Sequence, residues 1–175
     1  MFDNKIYIAF VKQDIIYGKF ACWLTDGPYH HTLTFWYDDN LKEYVGIEAT
    51  PCGGIKIHSL DNILSKYNKN IEVYACGSLT KDMLSFMKGT IGYKYDLSLL
   101  LKDLFVLLVY KAFKVLFKPK KKNTKSFICS EWVTTFLQKL FPFEFSGLVP
   151  HLTSPEALRQ ELKRSKYFYQ VRLTD

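Results

Sequence analysis

Strand signals fill the first half of this chain and helix signals fill the second, and this order restricts the fold more than any other feature. Apolar residues alternate over 5–11, and turn signals at Asp26-Gly27-Pro28 and Asp38-Asp39-Asn40 separate that segment from later ones. The predicted strands cover 5–11, 30–37, 43–50, 55–58 and 71–76. The two at 30–37 and 43–50 flank a short turn, which predicts a β-hairpin.

Capping residues mark the predicted helices. Ser59, Thr80 and Ser154 are typical N-caps, Pro155 suits the first helical position, and Gly89 is predicted to end its helix in the left-handed conformation. The predicted helices cover 60–67, 81–88, 97–117 and 156–164, with one more after Cys129, and a last strand covers 167–173.

The segment 97–117 is the most hydrophobic part of the chain, yet charged residues interrupt it. These charges, at Lys102, Asp103, Lys111 and Lys114, leave no apolar span of about 18 residues, so the segment is a poor transmembrane candidate. Lys111, Lys114 and Lys118 share one helical stripe, opposite leucine and phenylalanine. The pattern fits a helix packed on a core or a helix in a membrane interface.

Length and charge bound the architecture and the partners. The 175 residues contain no interior linker, which predicts a single domain over 1–175 with a hydrophobic and basic helical segment at 97–125. A formal net charge of +7 suits an acidic partner such as an anionic membrane or wall polymer. The lysine-rich run over 118–125 is typical of a solvated loop, and no nucleic-acid-binding motif is present, so nucleic acid is not an expected partner.

The cysteines and the first residues bear on the cellular setting. The four cysteines are widely scattered without a Cys-x-x-Cys pair, which predicts reduced thiols and neither a disulfide framework nor a metal site. Residues 1–6 lack the features of a secretion signal. We therefore expect a cytoplasmic protein without a cofactor, with peripheral membrane association or delivery by a phage or a secretion apparatus as alternatives.

Cys129 lies where a cysteine nucleophile is expected, at the point where a short apolar stretch becomes a helix. A thiol in the first turn of a helix feels the positive end of the helix dipole, which favours the reactive thiolate. Val133, Phe136 and Leu140 follow it at helical spacing, so Cys129 is predicted to face inward. Glu131 suits the same dipole as a first-turn carboxylate.

A thiol hydrolase also needs a histidine and a polar group that orients it. His30 or His31 begins one strand of the predicted hairpin, and Glu48 lies on the facing strand, where a carboxylate can hold the imidazole ring. A zinc site is a weaker hypothesis, because its ligands lack any familiar spacing. Its ligands would be His30, His31, Cys52 and His58.

The order of these motifs resembles a known family, the NlpC-type cell-wall cysteine peptidases in their circularly permuted, papain-like branch. That branch includes the YiiX-like proteins and is related to lecithin:retinol acyltransferase-like enzymes. The resemblance covers about residues 17 to 160 and rests on Pro28-Tyr29-His30-His31, Val45-Gly46-Ile47-Glu48-Ala49-Thr50, Gly53-Gly54-Ile55, Gly92-Tyr93-Lys94-Tyr95-Asp96, Cys129-Ser130-Glu131 and Ser154-Pro155-Glu156. It implies an α+β fold, with an antiparallel sheet or partial barrel and the nucleophile at the N-terminus of a helix packed on it.

The resemblance also implies roles for single residues. Cys129 is the nucleophile, a histidine its base, and Glu48 the orienting group. Tyr95 positions the substrate or stabilises the oxyanion, a role that a phenol donor suits. A Pro-Tyr-x-His match favours His31 as the base, whereas the apolar alternation that follows favours His30. We take His31 as the expected base and keep His30 as the alternative.

Three functions remain open at this stage. The first is an amidase or endopeptidase that cleaves peptidoglycan stem peptides through a thioester on Cys129. The second is a lipid-directed amidase, thioesterase or acyltransferase at a membrane surface, which the 97–117 segment favours. The third is an inactive binding module with the same fold. The long apolar segment between Tyr95 and Cys129 departs from the family pattern.

Overall fold

The strands form one antiparallel sheet and one small strand pair. The computed structural model describes residues 5–12, 19, 22–67, 70–114 and 125–172. The strands are β1 Lys5–Lys12, β2 Tyr29–Asp38, β3 Glu43–Thr50, β4 Gly54–Ser59, β5 Ile71–Ser78, β6 Lys94–Tyr95, β7 Ser126–Phe127 and β8 Phe168–Val171. Six of them form an antiparallel sheet in the order β4-β3-β2-β1-β5-β8, and β6 pairs with β7 in parallel.

The helices pack on both faces of the sheet. They are α1 Leu60–Lys66, α2 Lys81–Gly89, α3 Leu97–Phe113, α4 Cys129–Leu140 and α5 Pro155–Arg164, with a 3-10 turn at Pro150–Leu152. One apolar cluster joins α4 and α5 to a sheet face that includes Ile8, Trp36 and Ile47. A second cluster joins α1 to the opposite face, which includes Leu33 and Phe35. Alternation along each strand supplies both clusters, because successive side chains point to opposite faces.

The predicted α+β class and antiparallel sheet are confirmed, and so are the predicted strands and the hairpin of β2 and β3. The predicted cap residues at Ser59, Thr80 and Ser154 each accept a hydrogen bond from a backbone N–H of the first helical turn. Each cap therefore satisfies a donor that has no partner within its helix. α4 packs on the sheet with Cys129 as its first residue, as predicted.

Two details of the helix predictions are wrong. Gly89 is still helical, Thr90 caps α2, and the glycine with positive φ that follows this helix is Gly92, at 86°. The helix that begins at Leu97 reaches Phe113 and ends at Lys114, which takes the left-handed conformation. The remainder of its predicted span, 115–117, and most of the lysine-rich run, 118–124, lie outside the described residues.

Of the two settings predicted for that helix, packing on a core is found on one side only. Leu99 is the only buried residue of α3. In the part of the chain that the structure describes, no helix combines the length and the apolar character needed to cross a membrane.

Gly54 fixes the contact between the sheet and the small strand pair. Its φ is +66°, and a Cβ at this position would lie 2.3 Å from the carbonyl oxygen of Tyr93. The backbones meet because the Ile55 N–H donates to the Tyr93 carbonyl at 2.8 Å and the Gly92 N–H donates to the Ile55 carbonyl at 2.9 Å. Only glycine combines this conformation with this approach. The contact holds β6, and with it Tyr95, beside β4.

Candidate active site

The site forms where β2 and β3 separate. Their ladder ends at Thr34 and Ile47, so the first half of β2 lies beyond it. His31, Leu33 and Phe35 alternate onto one face of β2, and Glu48 lies on the matching face of β3. His31 Nε2 is consequently 3.0 Å from Glu48 Oε2, and both side chains are buried.

Glu48 is held by two further donors from the end of α1. Lys66 Nζ donates to Glu48 Oε1 at 2.6 Å, and the Tyr67 hydroxyl donates to Glu48 Oε2 at 2.7 Å. Burial alone would raise the pKa of Glu48, but hydrogen bonds from His31, Lys66 and Tyr67 and the charge of His31 lower it to about 2. Glu48 is therefore ionised over the physiological pH range.

Cys129, the first residue of α4, lies beside His31. Its side chain is buried at 6% exposure, and its sulfur accepts hydrogen bonds from the His31 ring and from the backbone N–H groups of Thr32 and Ser130. Burial opposes ionisation of the thiol, but the charge of His31 and these hydrogen bonds outweigh it, so the pKa of Cys129 is lowered.

His31 is the group that links the thiol to the carboxylate. Burial would lower the pKa of His31, whereas the negative charge of Cys129 and hydrogen bonds to Cys129 and Glu48 raise it to about 9. The lowered pKa of the thiol and the raised pKa of the imidazole both favour the thiolate–imidazolium pair over the neutral pair. A nucleophile and a proton donor are then present together.

Tyr95, which lies in the small strand pair, also contacts Cys129. Its hydroxyl donates to the Cys129 sulfur, and burial together with the negative charge of Cys129 raises the pKa of Tyr95. Asp96, the next residue, caps α3 through the Leu99 N–H at 2.9 Å and accepts from Ser126 Oγ at 2.8 Å. Asp96 thereby ties β6 to β7, which leads into the Cys129 helix.

Alternation along β2 separates the two histidines. His30 points to the opposite face from His31, and the two ring centroids lie 6.2 Å apart. Burial and the neighbouring charge of His31 lower the pKa of His30 to about 4, and its buried Nδ1 has no hydrogen-bond partner among the described residues. The structure thus brings His31, Glu48, Cys129 and Tyr95 together and leaves His30 out of this set.

Sequence reasoning assigned no role to four members of the network. Lys66 and Tyr67 end a helix that is distant from Glu48 in sequence, and no spacing rule connects them to it. The Thr32 contribution is a backbone N–H group, which no side-chain motif reveals. Asp96 was visible as part of the Gly-x-x-Tyr-Asp segment and as a possible cap, and this signal would have sufficed to identify it.

Comparison with known proteins shows the fold. No family model matches the chain, and no curated protein matches it at a significant level. Among solved structures, it is similar to the metalloprotein YiiX from Escherichia coli O157:H7, with 16% identity, a TM-score of 0.53 and an alignment that covers 98% of both chains. The chain therefore has a YiiX-like, papain-like fold, as the resemblance implied.

The description of YiiX as a metalloprotein prompts a test of metal ligands in this chain. Among the residues that the structure describes, no group of three or more histidine, cysteine, aspartate or glutamate side chains is arranged to hold a metal ion. The zinc hypothesis fails on the same ground, since Cys52 is exposed in the turn between β3 and β4 while His31 is buried against Glu48. The side chains present do not fit a metal site of that kind.

Proposed function

We propose that the protein is a cysteine hydrolase in which Cys129 is the nucleophile, His31 the acid and base, and Glu48 the orienting group. The observation that carries the proposal is the line of hydrogen bonds from the Cys129 sulfur through the His31 ring to Glu48, with the latter contact at 3.0 Å. A positioned nucleophile, base and orienting group define this chemistry better than any single residue.

The proposed reaction proceeds in two steps. The Cys129 thiolate attacks a carbonyl carbon, so that an S–C bond forms and the carbonyl oxygen becomes negative. The bond to the leaving nitrogen or oxygen then breaks, and His31 gives that atom its proton, which leaves a thioester. Water next attacks the thioester carbonyl while His31 accepts a proton from it. The S–C bond then breaks, which releases the carboxylic acid and restores the thiolate and the imidazolium.

The contacts of His31 and Tyr95 suggest how charge is handled in these steps. Because His31 Nε2 faces Glu48, Nδ1 is the nitrogen left to face the sulfur and the leaving group. The Tyr95 hydroxyl already donates to the sulfur, so it is near enough to donate to an oxyanion that develops on the adjacent carbon. Such a donor stabilises the transition state more than the ground state.

The role of Glu48 predicts a change in the titration of His31. Glu48→Gln removes the negative charge beside the ring, so the pKa of His31 should fall from about 9 by about one unit or more. The imidazolium is lost as pH rises through its pKa, so the variant should lose activity at a lower pH than the wild type. Imidazole C–H signals in NMR, assigned with His31→Asn, measure the pKa directly.

Tyr67→Phe is the matched control for this titration. It removes one hydrogen bond to Glu48 and keeps the charge, so the pKa of His31 should move less than in Glu48→Gln. An unchanged His31 titration in Glu48→Gln would contradict the orienting role of Glu48.

The substrate proposal has two branches. The resemblance supports an amide in a peptidoglycan stem peptide, and the basic composition suits an anionic wall. A lipid acyl substrate is the second candidate, and the observation that favours it is the exposed apolar surface of α3, whose first residue follows Tyr95 by two positions. Both branches share the thioester on Cys129.

Mass spectrometry of acid-quenched mixtures distinguishes the branches. Muropeptides and acyl lipids are offered in parallel, and we expect one class to add the mass of its acyl group to Cys129. Cys129→Ala should show no adduct with either. An adduct on another cysteine, or turnover without any dependence on Cys129, would refute the proposed mechanism.

A further inference from the structure

α3 is an apolar helix, and the described part of the chain leaves one side of it uncovered. Of its 17 residues, Leu99 is the only buried one. A helix that faces water normally has a polar outer face. A helix with this apolar composition is normally enclosed by a core or placed in lipid. Its surface therefore requires an explanation that the proposed chemistry does not supply.

Five of the exposed residues of α3 form one continuous stripe, and Tyr110 and Phe113 are exposed on other sides of its last turns. Leu101 is 59% exposed and Phe105 is 65% exposed, and their neighbours continue the row at spacings of three or four residues. Such spacing puts them on one side of the helix. The whole stripe consists of Leu97, Leu101, Phe105, Leu108 and Ala112.

The opposite side of α3 faces the protein. Leu99 is buried there, and Asp103 lies close enough to Glu131 and Asp96 for their charges, after burial, to raise its pKa to about 7. The helix is thus oriented, with its inner side near the first turn of α4 and its apolar stripe directed away from the molecule.

Cations border the stripe. Lys102 lies exposed on one flank of it. On the other flank, the Lys111 ammonium pairs with Asp26 at 2.7 Å and lies 4.6 Å from the ring centroid of Trp23. Trp23 is itself 53% exposed. An exposed tryptophan and an exposed lysine beside an apolar stripe are typical of a helix that lies in a lipid interface, where such a lysine reaches anionic headgroups.

We infer that α3 lies in the surface of an anionic phospholipid bilayer, with the stripe from Leu97 to Ala112 buried among the upper acyl chains. The formal net charge of +7 attracts such a surface and repels a second copy of the same chain. The helix lies in the plane of the membrane and does not span it. Its first residues adjoin Tyr95, so docking brings the Cys129 site to the lipid surface.

This inference does not depend on the thiol chemistry. Cys129→Ala should bind vesicles as the wild type does, so failure of the hydrolase proposal and failure of membrane docking give different results.

Vesicle flotation tests the docking. Full-length protein is mixed with phosphatidylcholine vesicles or with vesicles that also contain phosphatidylglycerol. We expect binding to the anionic vesicles that weakens with added salt, since surface charge attraction is screened. Leu101→Asp and Phe105→Asp should each weaken partitioning about tenfold or more, because each places a charge among acyl chains.

Phe143→Asp is the matched control, because Phe143 is 94% exposed and lies in the loop after α4, outside the stripe. It should bind vesicles like the wild type, and thermal unfolding should show that all three variants fold. Wild-type protein that fails to float with anionic vesicles, or Phe105→Asp that floats undiminished, would overturn the inference. A wild-type dimer in light scattering that Phe105→Asp dissociates, without vesicle binding, would assign the stripe to a second copy instead.

Discussion

Cys129→Ala is expected to abolish turnover of whichever substrate acylates the wild-type protein, with a loss of about 10⁴-fold or more. The loss is large because no other group in the site replaces the sulfur as the atom that attacks the carbonyl. Chromatography of the released product gives the turnover rates of the variant and the wild type, and hence the size of the loss. Cys22→Ala is the control, since Cys22 is a half-buried cysteine whose neighbouring charge is Glu156, and it should keep full turnover.

Alkylation by iodoacetamide tests the same assignment without a substrate. Near pH 6 an ordinary thiol is less than about 1% ionised, whereas Cys129 has a lowered pKa. Cys129 should therefore react first, ahead of Cys22 and Cys76, whose pKa values are raised chiefly by burial. Peptide mapping gives the four rates. Equal labelling of all four cysteines would favour the inactive binding module over the enzyme.

His31→Asn should have the second-largest effect, and His30→Asn should have little. Without the imidazolium, the pKa of Cys129 rises toward that of an ordinary thiol, so its alkylation near pH 6 should slow by about 100-fold. The pKa of His30 is lowered to about 4, so the ring is neutral at that pH and asparagine removes no charge. We expect His30→Asn to change the rate by less than about twofold.

The pair of variants is a sharp test because the residues are adjacent and both are at least partly buried. Circular dichroism and thermal unfolding should show that both variants fold. Two outcomes would contradict the assignment of His31. One is alkylation of Cys129 that slows equally in His30→Asn and His31→Asn, and the other is an unchanged alkylation rate in His31→Asn.

Local sequence patterns predicted most of the strands and helices of the fold. Alternating apolar residues predicted the strands, because a half-buried strand repeats every two residues. Helical spacing from Cys129 to Val133 and Phe136 predicted that the thiol faces inward, and all three are buried. These features are local in the chain, so composition and periodicity report them.

Local patterns gave opposite answers for the two histidines, because the Pro-Tyr-x-His match favoured His31 and the apolar alternation favoured His30. The choice depends on the register of β2 against β3 and on the place where their ladder ends, at Thr34 and Ile47. A strand register is set by contacts between distant segments. For the same reason, the contacts of Lys66 and Tyr67 with Glu48 could not be predicted. They form because α1 packs on the sheet.

The sequence by itself therefore determined the elements, the inward thiol and the types of residue available for thiol chemistry, because each follows from neighbours along the chain. The tertiary structure decided which histidine meets the thiol and which groups hold the carboxylate ionised. It also left the stripe of α3 exposed, although the sequence fitted a helix packed on a core as well as a helix in a membrane interface. The burial of a segment depends on which other segments pack against it. For α3, only the assembled fold shows that few of the described residues do so.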